Sequence, residues 1–376
     1  MKIDDKTSHN SPSLRFPEFT GEWKKCKIED ITDAVSSGKS KNHFSNGEYN
    51  LYGSTGIIGR TDKALYDGKL VLVARVGANA GFLQIINEPC GITDNTLILK
   101  PKGIDAFYLY YFLQHFNLNR LIFGSGQPLI TGGMLKKVKV SLGTISEQSK
   151  IVKFLSLLDE RIATQVRLID RLQSLIKGIN RTIFTGSGLE YSLCDVCEIR
   201  SGYSGNQLQG GKGLGVSRIE TISAHNINLE RIGYVAPFDA SENYRLQVGD
   251  ILFSNINSVE YIGNTAFIDK DYNLYHGMNL LRLIPFRNVV VPFYLYILLN
   301  TNRMLKHFKT ICNKAVSQAS INQKELGKTI VMLPSLEKQK QVCNIYQAMY
   351  SKLKTEKDVL SFYQEQKRYL LRHMFI

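Results

Sequence analysis

Two stretches of the chain place an apolar residue alternately four and three positions apart. From Ile151 the spacing runs through Leu155, Leu158, Ile162, Gln165, Ile169, Leu172, Ile176 and Ile179 to Ile183, with nine of ten positions apolar. That is the a/d seam of a coiled coil. At an offset of 191 residues a weaker stripe follows: Val342, Tyr346, Met349, Leu353, Glu356, Leu360, Tyr363, Lys367, Leu370 and Met374. Of its two polar members, Glu356 and Lys367, the first falls where Gln165 interrupts the earlier stripe. Each stripe predicts a helix of roughly 38–40 residues, about 58 Å long at 1.5 Å per residue. A compact domain of ~130 residues cannot bury a stripe of that length, so the two helices are expected to pair. An antiparallel pair sets their midpoints face to face, so that either the Gln165 amide donates to Glu356 or one or both side chains reach solvent or a partner subunit.

Outside the stripes the apolar runs are short and punctuated by Gly-rich turns. Lys69–Val73, Thr96–Leu99 and Lys137–Val140 read as strands, as do Asp250–Phe253, Asn279–Leu283 and Thr329–Met332. Ala106–Phe116 and Pro292–Phe308 read as helices. The second set repeats the first. Phe107-Tyr-Leu-Tyr110 returns as Phe293-Tyr-Leu-Tyr296, and from Gly126 to Phe184 the offset of 191 is constant, pairing Gln127 with Gln318 and Leu142 with Leu333. A repeat of this size is a whole domain plus a helix, far longer than a solenoid unit. The expected fold is therefore α+β: two similar mixed heads joined by two long antiparallel coiled-coil helices with pseudo-two-fold symmetry. The boundaries expected are a disordered tail over 1–13, a head over 14–145, a helix over 146–185, a head over 186–335 and a helix over 336–376. Leu14 to Trp23 reads as a packed entry segment. The link Thr185-Gly-Ser-Gly188 is too short for the return path a parallel pair needs, so one head is expected at each end of a rod.

Charge narrows the partner. The 376 residues carry 47 Lys+Arg against 33 Asp+Glu, a net charge of +14 with pI near 9.3. The basic residues recur in small groups, among them Lys24/Lys25/Lys27 and Lys136/Lys137/Lys139. A solvated basic surface accounts for this composition; a polyanion accounts for it better, because each neutralised phosphate releases a counterion. Six cysteines are too few for a disulfide scaffold, and no signal peptide or stretch of ~20 apolar residues is present. The expectation is a cytoplasmic protein with no membrane partner.

The sequence carries no recognisable catalytic motif. Gly205 to Gly213 imitates a phosphate loop, but Gly211 stands where its lysine belongs, and if Lys212 is taken as that lysine Gly213 stands where Ser or Thr would hold magnesium. Cys194-Asp-Val-Cys197 has metal-ligand spacing without a second pair, and its neighbours Leu193 and Val196 read as a half-buried strand or turn. No catalytic, cofactor or metal residue is assigned. The loops instead carry residues that grip phosphates and read base edges: Lys39, Lys41, Asn42 and His43; Tyr52, Ser54, Thr55 and Arg60; Arg75, Asn79 and Gln127. In the second half stand Tyr203, Asn206, Gln207 and Arg218; Asn255, Asn257, Tyr261 and Asn264; Lys314 and Gln318. Arg donates two hydrogen bonds to the O6 and N7 of guanine, and Asn or Gln exchanges two with the N6 and N7 of adenine. Turn formation explains any one Asn or Gly as well as a base contact does.

In order along the chain, the Leu14–Trp23 entry, Tyr52-Gly-Ser-Thr-Gly-Ile-Ile-Gly59, Gly249-Asp-Ile-Leu-Phe253, the Gln127–Thr131 and Gln318–Asn322 turns and the openings Ile145-Ser-Glu-Gln148 and Leu336-Glu-Lys-Gln339 resemble the DNA-specificity subunits of type I restriction–modification systems. The resemblance implies two target recognition domains, each reading half of a split double-stranded DNA site, and helices that fix the spacer and dock two modification subunits. Those partners would use S-adenosylmethionine to methylate adenine, and restriction subunits using ATP and Mg would join to cut unmodified DNA. This chain would hold no cofactor. The loops of the two heads do not match each other, so the half-sites are expected to differ. Two other classes stay open: an autonomous DNA-binding regulator, told apart by whether methyltransferase chains co-purify, and a DNA-modifying enzyme with unrecognised catalytic residues, which incubation with DNA, magnesium and S-adenosylmethionine would expose.

Overall fold

The computed structural model describes residues 11–41, 47–122, 127–182, 188–209, 211–223, 226–315 and 318–376. The chain divides into two compact units, Met1–Leu168 with Glu356–Ile376, and Ile169–Thr355. Both cuts fall inside the long helices Ile145–Thr182 and Leu336–His373, each of 38 residues.

In the first unit a four-stranded antiparallel sheet has the order Thr32–Ser37, Thr96–Pro101, Lys69–Ala74, Leu83–Asn87. Side chains of a strand alternate between faces. Val71, Val73, Leu97 and Leu99 accordingly pack under the helix Ala106–Phe116, in one core with Trp23, Tyr108 and Phe112. On the other face Leu70, Leu72 and Ile98 meet Cys90 and Ile92, which belong to a small second sheet of Gly56–Thr61, Tyr49–Gly53 and Cys90–Ile92. With both faces covered, the central strand is apolar throughout rather than alternating.

The long helices enter the same core. Ile151, Leu155 and Leu158 share it with Leu370, Met374 and Phe375, so within this unit the opening of the first helix lies against the close of the second, antiparallel as expected. Phe375 packs on Tyr108 and Phe112 at centroid distances of 5.3 and 6.3 Å. The polar seam member Lys367 is accommodated by Asp159, whose carboxylate it meets at 2.6 Å and which also accepts from the Tyr111 hydroxyl at 2.8 Å. Deeper along the pair, Gln165 and Glu356 are both buried, and Gln165 Nε2 donates to the Glu356 backbone carbonyl at 2.9 Å and to its carboxylate. The contact expected from the two interruptions is present. Ile183, the last position of the first stripe, lies outside the described residues.

The entry segment is held by one carboxylate. Glu147, fully buried, accepts from Arg15 Nε and Nη2 at 2.7 and 2.8 Å and from Trp23 Nε1 at 3.1 Å. Residues 1–10 of the expected tail lie outside the described residues. The expected limit of residue 13 is too late: Pro12 is already buried, Ser13 Oγ meets His373 Nδ1 at 2.9 Å, and Leu14 N donates to the His373 carbonyl, one of the acceptors a helix end leaves unpaired.

The second unit repeats the plan. Its sheet runs Cys197–Ser201, Leu281–Pro285, Ile251–Phe253, Thr265–Phe267, again antiparallel and in the same order. The ribbon Lys24–Lys27 with Lys139–Leu142 returns as Leu189–Ser192 with Ile330–Leu333. Thr131 caps the short helix Gly132–Lys136 as Asn322 caps Gln323–Gly327. Gln148 Nε2 reaches back to the Gly143 carbonyl and Gln339 Nε2 to that of Pro334, both at 2.9 Å, which ties each long helix to the head before it.

One expectation is corrected here. Pro292–Phe308 is not one helix but two, Pro292–Leu299 and Asn302–Ile311. Asn300 turns its amide to the Tyr296 carbonyl and Thr265 Oγ1, at 2.7 and 2.6 Å, and Thr301 caps the second helix; short polar side chains that bond the local backbone interrupt a helix in this way. Leu193 to Val196 form a single helical turn, half-buried as expected, with Leu193 and Val196 inside, Cys194 and Asp195 exposed, and Cys197 Sγ donating to the Leu193 carbonyl. The phosphate-loop imitation leads into the strand Leu214–Val216 instead of a helix.

Candidate nucleic-acid interface

The candidate residues of the first head gather at one end of its main sheet. The strand Lys69–Ala74 runs into Arg75, whose N–H donates to Asn95 O and whose carbonyl accepts from Ile130 N, at 2.9 and 2.8 Å. Ala74 N donates to Phe82 O and Gly81 N to Ala74 O, both at 2.8 Å, closing a loop that carries Asn79 exposed on a short 3-10 turn. Gly81 needs its φ of 87° to close it. Gly77 N bonds Pro128 O, and a Cβ on Gly77 would lie 4.0 Å from Gln127 Nε2, which brings exposed Gln127 beside the loop. Ser54 Oγ donates to Asn95 O, while Gln84 holds the Gly53 and Ser54 carbonyls, so the turn with exposed Thr55 stands at the same end. Arg75 itself is lightly held: Nη1 makes a long 3.4 Å bond to Ser37 Oγ, and Nε is without a partner among the described residues.

Other members are committed inside the head. The Tyr52 hydroxyl donates to Glu88 at 2.6 Å, and burial together with that carboxylate pushes it up to about 12. Arg60 spends its guanidinium on the carbonyls of Gly47 and Glu48, at 2.6 and 2.5 Å, and on Asn50. Both side chains brace the small sheet. Lys39 and Lys41 are exposed on either side of Ser40, which is clamped to Ile92 by its Oγ and its N–H. Asn42 and His43 lie outside the described residues.

In the second head the same end of the sheet carries Asn255, Asn257, Tyr261, Asn264 and Gln318. Ser254 N donates to Asn264 O at 2.7 Å, Gly263 N to Ser254 O at 2.9 Å, and Ile321 N to Asn255 O at 2.8 Å. These repeat the bonds of Ala74, Gly81 and Arg75 one for one, and Gly263 shares the left-handed φ, at 83°. Tyr261 is half exposed, whereas Asn264 is buried. Asn255 Nδ2 donates to Ile321 O at 3.3 Å and its Oδ1 is unpartnered among the described residues. Asn257 is drawn back to Ser254 Oγ. Gln318 and Lys314 are exposed on the short strand pair beside them.

The remaining candidates belong to the segment between the sheet strands Cys197–Ser201 and Ile251–Phe253. Tyr203 lies flat on Phe238, centroids 3.6 Å apart, with Tyr244 edge-on, so its ring is packing. Gln207 bridges to Val235, Asn206 is exposed, and exposed Arg218 lies 3.6 Å from Glu220. Sequence reading missed Ser37, Gln84 and Asn95, which position the tip of the first head, and Phe82 and Leu129, whose apolar side chains are 48% and 42% exposed beside Asn79 and Gln127. Their only signal is a place at the end of a strand. On the first head the ribbon brings exposed Lys25, Lys27 and Lys139 together, with Lys136 and Lys137 exposed on the turn before it. Of these Lys27 is paired, with Glu29.

Among the described residues no helix is long and apolar enough to cross a membrane. Residues 20–174 and 189–361 match the family model for the type I restriction modification DNA specificity domain. A putative type I restriction enzyme MjaX specificity subunit from Methanocaldococcus jannaschii is 38% identical over 187 residues, 49% of this chain and 44% of that protein. The MjaVIII specificity subunit of the same organism is 26% identical over 334 residues, 79% of this chain and 74% of its own length. The first of these matches thus spans less than half of the relative. Among solved structures, the S subunit of the type I restriction–modification system of M. genitalium superposes with a TM-score of 0.65 at 19% identity, covering 97% of this chain and 99% of that one. A chain from a study of assembly and conformational transition of the type I R-M system gives 0.60 at 15% identity, covering 94% and 97%. Both share the fold.

Proposed function

The chain belongs to the type I restriction–modification DNA specificity family, and from that premise we propose that it is the sequence-specificity subunit of such a system, non-catalytic in itself, whose two heads read the two unlike halves of a split double-stranded site. The observation that carries this reading is the duplicated tip. One backbone frame is built twice, and the side chains on its loops differ, Arg75, Asn79 and Phe82 standing against Asn255, Tyr261 and Asn264. Equal frames place the reading groups alike, and unlike side chains read unlike bases. Exposed lysines on the first head supply phosphate contacts that position the duplex without reading it.

Arg75, Asn79 and Gln127, and Asn255, Tyr261 and Gln318, are the strongest base-contact candidates, with Ser54, Thr55, Lys39, Lys41 and Lys314 beside them. Tyr52, Arg60 and Tyr203 act through the scaffold instead. The paired helices set the spacer between half-sites and dock two modification subunits, which bring S-adenosylmethionine and methylate adenine. Restriction subunits using ATP and Mg complete the cutting form, and the assembly works in the cytoplasm.

The test is to reconstitute the chain with its modification subunits, supply S-adenosylmethionine and a random DNA library, and sequence the methylated adenines. The expected product is one motif of two dissimilar halves around a fixed spacer. A palindromic motif would remove the two-head reading, and methylation by the isolated chain would make it an enzyme.

A further inference from the structure

We infer that specificity within each head is concentrated in one interchangeable loop, Arg75–Phe82 in the first and Asn255–Asn264 in the second, with Arg75 reading a guanine and Asn255 an adenine from the same position of the frame. The inference rests on the chain being a specificity subunit and goes beyond it by naming the element and the base.

Three observations carry it. The first is positional identity without sequence identity. The bonds Ala74 N to Phe82 O, Gly81 N to Ala74 O and Ile130 N to Arg75 O recur as Ser254 N to Asn264 O, Gly263 N to Ser254 O and Ile321 N to Asn255 O. Phe82 N to Asn79 O recurs as Asn264 N to Tyr261 O. Arg75 thereby corresponds to Asn255, Asn79 to Tyr261 and Phe82 to Asn264, and only the glycine of the left-handed turn is kept. Selection for folding alone would preserve more than a glycine on so constant a frame.

The second is unspent hydrogen-bonding capacity. Arg75 Nε and Asn255 Oδ1 are both without a partner among the described residues, at the same place in the two heads. A native fold rarely leaves such groups unmet, and a functional role is one of the standard reasons. Ser would serve a structural corner as well, but Arg and Asn are side chains whose paired groups match guanine and adenine edges. The third is contrast: Arg60 and Tyr52, equally suited to DNA by type, have their polar groups occupied by the protein's own carbonyls and by Glu88.

The experiment uses the chain assembled with its modification subunits and reads methylation motifs from a random DNA library. Arg75→Gln should convert a guanine to an adenine preference at one position of one half-site, lowering discrimination for guanine roughly tenfold to a hundredfold. Asn255→Asp should lose an adenine in the other half. Replacing Arg75–Phe82 by Asn255–Asn264 should carry that adenine into the first half-site, with the second half and spacer unchanged; the point variants decide the matter where the graft does not fold. Unaltered motifs in both point variants overturn the inference while leaving the specificity function standing. An equal loss of binding to all sequences makes Arg75 a phosphate contact and also overturns it. A native complex without sequence preference removes the function itself.

Discussion

Replacing Gln165 and Glu356 by leucine, singly and together, tests whether the polar pair inside the seam locks its register. Both are buried, and Gln165 Nε2 serves the carboxylate and the backbone carbonyl of Glu356 at once. Gln165→Leu leaves a buried carboxylate without that donor, a loss of about 2–3 kcal/mol for a hydrogen bond to a charged group. The unit that holds the pair has about 190 residues, for which each kcal/mol moves the melting temperature by about 2–4 °C, so a fall of about 4–12 °C is expected. Glu356→Leu removes the carboxylate acceptor but keeps the backbone carbonyl that the Gln165 amide also serves, and should cost less, about 1 kcal/mol. The double variant replaces the pair by two apolar side chains on an apolar stripe, and exchanges of this kind are often neutral or stabilising by about 1–4 kcal/mol. Calorimetry of the four proteins therefore closes a cycle with a coupling of several kcal/mol. Single effects no larger than the ~0.5 kcal/mol of an ordinary surface change, or effects that simply add, would refute the reasoning. So would a double variant that methylates with one fixed spacer, because a slipped register then never becomes accessible.

Exchanging residues 14–145 for the equivalent head of another specificity subunit should change one half of the methylated motif and leave the other half and the spacer as they were. Inserting four residues near Gln165 and four near Glu356, one turn or ~6 Å, should lengthen the spacer with both half-sites retained, as read by the same methylation sequencing. Glu147→Ala strands the Arg15 guanidinium and the Trp23 indole in a buried site; breaking such a pair costs about 3–5 kcal/mol, measurable as a lowered urea midpoint. His276 is buried, which holds its imidazole down at about 4. Unfolding restores the ordinary value near 6.5, so stability is full above about pH 6.5 and declines as pH falls toward 4, by about 3 kcal/mol. His276→Gln should flatten that slope in urea titrations at several pH values.

What the sequence disclosed depended on whether a signal was periodic or contextual. The seam was legible because ten positions repeat one spacing, and its two polar interruptions were legible as partners because the duplication aligns them. The helix Ala106–Phe116 begins and ends where its apolar run does. The break at Asn300 and Thr301 was hidden, since it depends on Thr265, a residue of another strand, receiving the Asn300 amide. Tyr52 and Arg60 looked free because Glu88 and the Gly47 carbonyl reach them only through sheet pairing. The correspondence of Arg75 with Asn255 was invisible for a further reason: the loops differ in length and in nearly every side chain, and backbone hydrogen bonds leave no mark in composition.

The tie between Gln148 and Gly143, repeated by Gln339 and Pro334, has an evolutionary corollary. A helix fixed to its head at the shoulder has no swivel, so a change in length is also a change in phase. Each added residue advances the helix about 1.5 Å and turns it about 100°. One or two residues would point the reading tip away from its groove, whereas four overshoot a full turn by about 40° and seven fall about 20° short of two. New spacers should therefore arise through duplications of four or seven residues, and natural variation in stalk length should be stepped, like the teeth of a ratchet.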